Sequence, residues 1–297
     1  MRLAPEQRQI DPRQVLASLG YADAGNPVPV TGGWETLLWR FDTPDGREHA
    51  LRLYHLRDAA ATARRECVAL AACQAADLAA PRVERIGEYE GMPAVVQTWC
   101  PGTPLLTLLE KKPWTIGRLG RLFGRTQARL HMTPAPPEFA PTAPADWLSR
   151  VPQEYAHLAE RGDASTATLV HLDYHPLNVI VDRGGDASVI DWAYAAAGDA
   201  RADLAVTATT LMAAPIPPGP LKPLLNLART LMARAWRAGY CEIAGAMPDY
   251  RPFLAWSGAM ILLGTQDAIG RPNVWGTEKD VEALRRFIDA RARAGAG

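Results

Sequence analysis

His171-Leu172-Asp173-Tyr174-His175-Pro176-Leu177-Asn178 is followed, thirteen residues after its asparagine, by the acid of Val189-Ile190-Asp191-Trp192. The first run reads His-x-Asp-x-x-x-x-Asn, and the second sets an Asp at the end of an apolar stretch. Between them Gly184-Gly185-Asp186 supplies a reversal joining two strand-like runs, 178–181 and 187–190. Folding that hairpin back is expected to bring Asp191 near Asn178, so that two oxygen ligands converge beside a base. A lone Asp in a loop usually serves a turn or a cap, and a lone His is usually a core residue with satisfied hydrogen bonds. His171 keeps that reading, holding the loop by hydrogen bonding. Three groups at this spacing and in this strand context are a set that phosphoryl transfer requires. Asp173 is the candidate base for a hydroxyl proton, and Asn178 and Asp191 are candidate ligands holding Mg²⁺ against ATP.

Composition sets the bounds. With 297 residues the chain can form one large domain or two lobes with sizeable cores. An apolar content of 48% and a formal net charge of zero suit a globular enzyme, and they lack the basic surplus of a nucleic-acid binder. The charged N-terminus, Met1-Arg2-Leu3-Ala4-Pro5-Glu6, has no apolar core of a signal peptide. The longest apolar stretch, 253–263, is too short to span a bilayer and reads as a buried helix. Cys67, Cys73, Cys100 and Cys241 show neither Cys-x-x-Cys spacing nor disulfide density, so reduced thiols and a cytoplasmic location are expected.

Helical spacing covers 11–19, opened by Asp11-Pro12 and closed by Gly20. Strand-like runs follow at 28–31, 36–41 and 48–54, the last two joined by Thr43-Pro44-Asp45-Gly46. An Ala-rich helix capped by Asp58 is expected over 58–76. Two further strands, 83–88 and 93–99, flank a turn at Glu90-Gly91. Pro101-Gly102-Thr103-Pro104 reads as a linker. Beyond it helices are expected at 114–131, 145–161, 201–212, 222–238, 253–269 and 278–294, with a Pro-rich connection over 134–144.

These pieces resemble the aminoglycoside phosphotransferase and choline kinase family, small-molecule kinases with a protein-kinase-like fold. The matching residues are Thr31-Gly32-Gly33, Leu51-Arg52-Leu53-Tyr54, Arg65-Glu66-Cys67-Val68-Ala69-Leu70 and Trp99-Cys100-Pro101-Gly102-Thr103-Pro104-Leu105. The catalytic run, Asp191-Trp192-Ala193-Tyr194 and Gly198-Asp199-Ala200-Arg201-Ala202-Asp203-Leu204-Ala205 complete the set in the family's order over 31–205. The resemblance implies an α+β, bilobal architecture. Residues 1–100 would form a nucleotide-binding lobe with an antiparallel sheet and one helix. Residues 101–297 would form a helical lobe carrying the catalytic loop and the acceptor site.

The resemblance also implies roles. Gly32 and Gly33 would let backbone N–H groups approach phosphate. Arg52 stands where the family usually has Lys; it would grip the α- and β-phosphates and pair with Glu66. Gln97, Thr98, Trp99 and Cys100 would form a hinge offering backbone groups to the purine edge, with ATP the default and GTP left open. Asp203 would brace the catalytic loop by accepting its N–H groups, while Asp199 caps a helix. The implied partner is a small-molecule hydroxyl acceptor, with no nucleic acid and no membrane; oligomeric state and acceptor identity stay open. From 101 onward 19 acidic residues face 21 basic ones, so no acidic surplus points to a polycation. Trp256, Gln266, Asp267, Trp275 and Glu278 are candidate pocket residues that equally suit core or helix surface. A competing reading, a catalytically weak nucleotide-binding or scaffold protein on the same fold, is prompted by Arg52. The joint presence of Asp173, Asn178 and Asp191 argues against it.

Overall fold

The computed structural model describes residues 10–30, 36–56, 58–139, 145–161, 168–213, 220, 222–269 and 277–294. Contacts divide the chain into two units, Met1–Pro101 with Ser188–Ala193 and Gly102–Ala187 with Tyr194–Gly297.

The first unit opens with helix α1 (Pro12–Ser18), started by Asp11, whose side chain accepts the N–H of Arg13. Strands β1 (Val28–Val30), β2 (Thr36–Asp42), β3 (Glu48–Tyr54), β4 (Val83–Tyr89) and β5 (Met92–Thr98) form one antiparallel sheet in the order β1-β2-β3-β5-β4. Helix α2 (Ala59–Ala75) enters between β3 and β4. Strand β3 lies in the middle and is buried along nearly its whole length. Alternation sends Leu51 and Leu53 into a cluster with Val15, Leu16, Leu37, Trp39, Phe41 and Val96. Tyr54 goes to the other face, with Val95 and Ala63 of α2. A strand covered on both faces has no solvent side on which to place Arg52, and that residue is 7% exposed.

The expected five strands and the α2 helix are present. Asp58 does not cap α2 with its side chain: its backbone is left-handed (φ 66°), and the carboxylate makes no capping bond.

The second unit carries helices α3 (Leu105–Lys111), α4 (Ile116–His131), α5 (Ala145–Leu148), α6 (Ala200–Ala213), α7 (Lys222–Ala244), α8 (Leu254–Ala268) and α9 (Glu278–Ala294). The helix expected over 145–161 is broken: α5 ends at Leu148, and after Pro152 the chain takes a 3-10 form over Gln153–Arg161. Proline cannot donate the backbone hydrogen bond that a continuous α-helix needs there. Two small pairings complete the unit. Strand β6 (Thr103–Pro104) runs against β8 (Val179–Val181), and β7 (Thr168–Val170) runs against β10 (Ala196–Gly198). Strand β9 (Ala187–Val189) follows a turn in which the Asp182 carboxylate accepts the N–H groups of Gly185 and Asp186 at 2.8 and 2.9 Å.

Helices α4 and α7 touch backbone to backbone. A Cβ on Gly124 would stand 2.0 Å from the carbonyl oxygen of Trp236, and one on Gly239 would stand 2.0 Å from that of Arg121. Only glycine fits, since neither obstacle is a movable side-chain end. Gly124→Ala should therefore cost about 2 kcal/mol or more in urea unfolding. Gly117→Ala in the same helix, where a Cβ meets nothing within 4 Å, should be neutral or stabilise by up to about 1 kcal/mol.

Candidate active site

In the first unit, Nη2 of Arg52 lies 3.2 Å from Oε2 of Glu66 and 3.2 Å from Oδ1 of Asp191. Three separate devices bring these groups together. The middle position of β3 buries the guanidinium, α2 turns Glu66 inward, and a left-handed residue (φ 64°) sets Asp191 at the bend after β9. The bend is held on both sides. Val189 N–H donates to the Ala79 carbonyl at 2.9 Å, the Trp192 indole donates to the Val189 carbonyl at 3.0 Å, and Arg65 donates to the Ala193 carbonyl at 2.9 Å.

The Tyr54 hydroxyl donates to Glu66 Oε2 at 2.5 Å, and its ring centroid lies 5.8 Å from the Arg52 guanidinium carbon. Burial acts most strongly on the Arg52 charge and disfavours it. Glu66, Tyr54 and Asp191 outweigh it, so the guanidinium is held firmly protonated. Tyr54 belongs to the matching run Leu51-Arg52-Leu53-Tyr54 but carried no expected role; its position two residues after Arg52 puts both on one strand face.

The catalytic run lies in the second unit, between β7 and β8. Asn178 donates from Nδ2 to Oδ2 of Asp173 at 3.1 Å and to the Asp173 carbonyl at 3.0 Å. Its amide nitrogen is thereby committed, and its amide oxygen is the atom left for ligation. Asp173 N–H donates to Nδ1 of buried His171 at 3.3 Å. His175 Nε2 stands 3.5 Å from Asp173 Oδ2.

Leu172 adopts a left-handed backbone (φ 59°), and its N–H donates to Oδ1 of Asp203 at 2.5 Å. Asp203 is wholly buried in the first turn of α6. Its other oxygen receives Gln127 Nε2 at 2.9 Å and lies 2.8 Å from His131 Nε2. Asp199 accepts the Arg201 N–H at 2.8 Å, as a helix cap does. Gln127 and His131 were not read from sequence. Their signal is two polar residues four apart on the apolar stripe of α4.

The hinge differs in part from expectation. Thr98 N–H is bonded to the Arg82 carbonyl at 2.9 Å and Trp99 N–H to that of Glu48 at 3.0 Å, so neither is free for a purine. The antiparallel neighbours of β5 claim them. Cys100 N–H has no backbone partner among the described residues. Gly32 and Gly33 lie outside the described residues, as do Trp275 and the side chain of Asp267. Trp256 is core: its ring meets Trp147 edge-on at 5.2 Å, and its indole donates to the Leu148 carbonyl. Among the described residues no three His, Cys, Asp or Glu side chains cluster as a metal site, and no helix is long and apolar enough to cross a membrane. Mg²⁺ does not need such a cluster, since it takes one or two oxygen ligands from protein and the rest from phosphates and water.

The antiparallel sheet with its one inserted helix and the helical second unit are those of a protein-kinase-like fold. The Phosphotransferase enzyme family model matches residues 27–164 and 140–252, and the chain belongs to that family. It is a small-molecule kinase acting on a hydroxyl group, and its family implies nucleotide use. No curated protein matches the chain.

Solved structures share the fold. A Plasmodium vivax ethanolamine kinase is 12% identical (TM-score 0.59, covering 89% of this chain and 82% of that one). An aminoglycoside phosphotransferase from Alicyclobacillus acidocaldarius is 14% identical (TM-score 0.54, 99% and 95%). An aminoglycoside phosphotransferase from Streptomyces rimosus, solved with ADP and streptomycin, is 18% identical (TM-score 0.51, 84% and 97%).

Two outcomes test the site's energetics. Removing either partner of a buried ion pair costs about 3–5 kcal/mol, so Arg52→Ala and Glu66→Ala should each destabilise strongly. Their double variant should fall short of the sum by about 2 kcal/mol in urea unfolding; additive effects would show that the pair carries no coupling.

The second outcome concerns pH. Burial is the largest influence on Asp203 and raises its pKa. The hydrogen bond and charge of His131, the charge of His171 and the Gln127 amide outweigh it and leave the pKa below the ordinary 3.8. A carboxyl depressed by folding contributes stability above its unfolded pKa and loses it as pH falls through the folded one. Asp203→Asn should cost about 3 kcal/mol at pH 7, and its gap to the wild type should narrow as pH falls below about 4.

Proposed function

We propose that this chain transfers the γ-phosphoryl group of ATP, with Mg²⁺, to a hydroxyl group of a small molecule. The observation that carries the reading is the Asn178–Asp173 pair, where one amide fixes the carboxylate through its nitrogen and keeps its oxygen for a cation. In this reading Asp173 orients the acceptor hydroxyl and accepts its proton. A loose transition state, in which proton transfer comes late, asks little of the group that takes the proton. Mg²⁺, held by Asn178 and Asp191, would offset the negative charge of the phosphates. Arg52 would add a fixed positive charge for the α- and β-phosphates, kept in place by Glu66. Gly32 and Gly33 would cover the phosphates, and the Cys100 N–H would serve the purine edge.

The Streptomyces rimosus structure with ADP supports a nucleotide in this fold. Residues beyond 205 would shape the acceptor pocket. The balance of acidic and basic residues from 101 onward, and Ala193 at a position often acidic in the family, do not favour a polycationic acceptor. We place the protein in the cytoplasm. The four cysteines are free, and burial pushes Cys67 and Cys100 up to about 11 and Cys73 up to about 12, so these three serve as inert packing groups.

The test is a screen of phosphate transfer from ATP against aminoglycosides, choline, amino alcohols, sugars and nucleosides, followed by Asp173→Ala on the acceptor found. Turnover should fall by at least about 100-fold, while calorimetric affinity for ATP with Mg²⁺ stays within about twofold because Asp173 serves the acceptor and not the nucleotide. Turnover retained within about tenfold would remove Asp173 from the role of base.

A further inference from the structure

Helices α4 and α7 together carry eight Lys and Arg residues and one acid, Glu242, in a chain whose 32 basic and 32 acidic residues balance. The same pair exposes apolar side chains of the kind a surface helix keeps inside. Leu224, Leu227 and Leu231 in the first turns of α7 are 60, 55 and 40% exposed. Trp114, in the 3-10 turn Pro113–Thr115 that leads into α4, is 77% exposed. Helix α7 has a separate buried side, which holds Met232, Trp236 and Tyr240. The three leucines are therefore a second apolar strip.

Gly120 of α4 lies against Met232 and Ala235, and Gly124 lies against Trp236 and Tyr240, so the two helices run side by side in the same direction. Their outer side is marked by Glu242, whose carboxylate receives both Arg121 and Arg125 across the pair. Leu231 and Leu224 precede Glu242 by eleven and eighteen residues, about three and five full turns, so they lie in line with it on that side. Leu227 stands about one turn from each. On α4, Arg118 comes three residues before Arg121 and Arg129 four after Arg125, which keeps both on the same side. Both are exposed. The register of the pair sets the start of α4, with Trp114 just ahead of it, level with Leu227 and Leu231.

Exposed apolar side chains gathered on one side mark an interaction surface, and charge selects what this one can meet. A second copy would bring arginines against arginines. Four partly exposed side chains also bury less than the roughly 800 Å² per partner of a stable protein interface. A lipid surface sets no such minimum. It takes up Leu and Trp where headgroups meet acyl chains, while Arg stays with the phosphates. Anionic headgroups add attraction for each cation.

We propose that the outer side of α4 and α7 docks on an anionic lipid surface. Trp114, Leu224, Leu227 and Leu231 enter the headgroup boundary, and Arg118 and Arg129 meet headgroup phosphates. The contact is peripheral and needs no spanning helix. It narrows the expectation of no membrane partner to the absence of a span, and it stands apart from phosphoryl transfer.

The experiment is cosedimentation of the full chain with vesicles of phosphatidylcholine alone or with about a third phosphatidylglycerol, at about 0.1 M salt. Binding to the anionic vesicles is expected to be at least about tenfold tighter than to the neutral ones, and to weaken as salt rises to about 0.5 M. Leu227→Glu with Leu231→Glu should weaken it at least about tenfold. Arg118→Gln and Arg129→Gln should each weaken it about fivefold. Lys279→Gln, at an exposed cation of α9, should leave it unchanged. Melting temperatures should hold in all of these, because the substituted side chains are exposed; if the leucine pair fails to fold, the arginine variants carry the test.

No binding to anionic vesicles, equal binding to both kinds, or binding unchanged in the leucine and arginine variants would overturn the proposal. So would a wild-type dimer that the leucine pair turns into a monomer in sedimentation velocity, which would give this face to a second copy. Binding of polyglutamate in place of anionic vesicles would overturn it in favour of an acidic protein.

Discussion

Arg52 carries a full charge into the middle strand of a sheet covered on both faces, and the first unit is arranged so that this charge is never alone. An uncompensated buried cation would cost several kcal/mol, which is a large part of any domain's net stability. Glu66 and Asp191 each place a carboxylate oxygen 3.2 Å from the same nitrogen. The Tyr54 hydroxyl occupies the Glu66 oxygen that faces Arg52, so the carboxylate is fixed from two directions. The orientation of α2 and the left-handed bend at Asp191 follow from the need to deliver those oxygens. Arg in place of Lys suits this arrangement, because its flat cation lies beside an aromatic ring.

The second unit solves a similar problem with the sign reversed. Asp203 is a wholly buried carboxylate, and every donor it finds belongs to an element that must stay in place: α4 through Gln127 and His131, and the catalytic loop through the Leu172 N–H. The strained backbone of Leu172 is tolerated because that hydrogen bond stabilises it. The loop gains further fixed points from the Tyr174 hydroxyl on the Phe123 carbonyl and the Thr207 hydroxyl on the Tyr174 carbonyl. The loop that carries Asp173 is thus held from beneath along its backbone.

Both networks show why some residues were legible and others were not. Asp173, Asn178, Asp191 and Asp203 stand at spacings that few other purposes demand, so the motif marks them. Tyr54, Gln127 and His131 act through the same atoms, yet each is an ordinary strand or helix residue until its neighbour across the fold is known. The close approach of α4 and α7 is of the same kind. Gly124 and Gly239 look like weak points of two helices, and only the opposing carbonyls give them a reason.

Local signals decided what local physics controls. Alternating apolar residues and Gly-containing turns determined the five strands; Gly185 at φ 94° and the Asp182 carboxylate shaped the turn before β9; and the terminal helix 278–294 follows from its own apolar spacing. Sequence alone also marked the 171–178 run, because residue type and interval are all that such a motif contains. Tertiary structure decided the rest: that Asp58 fails to cap α2, that Thr98 and Trp99 spend their N–H groups on neighbouring chain segments, and that Arg52 is shared between two carboxylates. Each of these depends on which distant group arrives at hydrogen-bonding distance. A sequence states which partners a residue can accept, and only the folded chain states which partner comes.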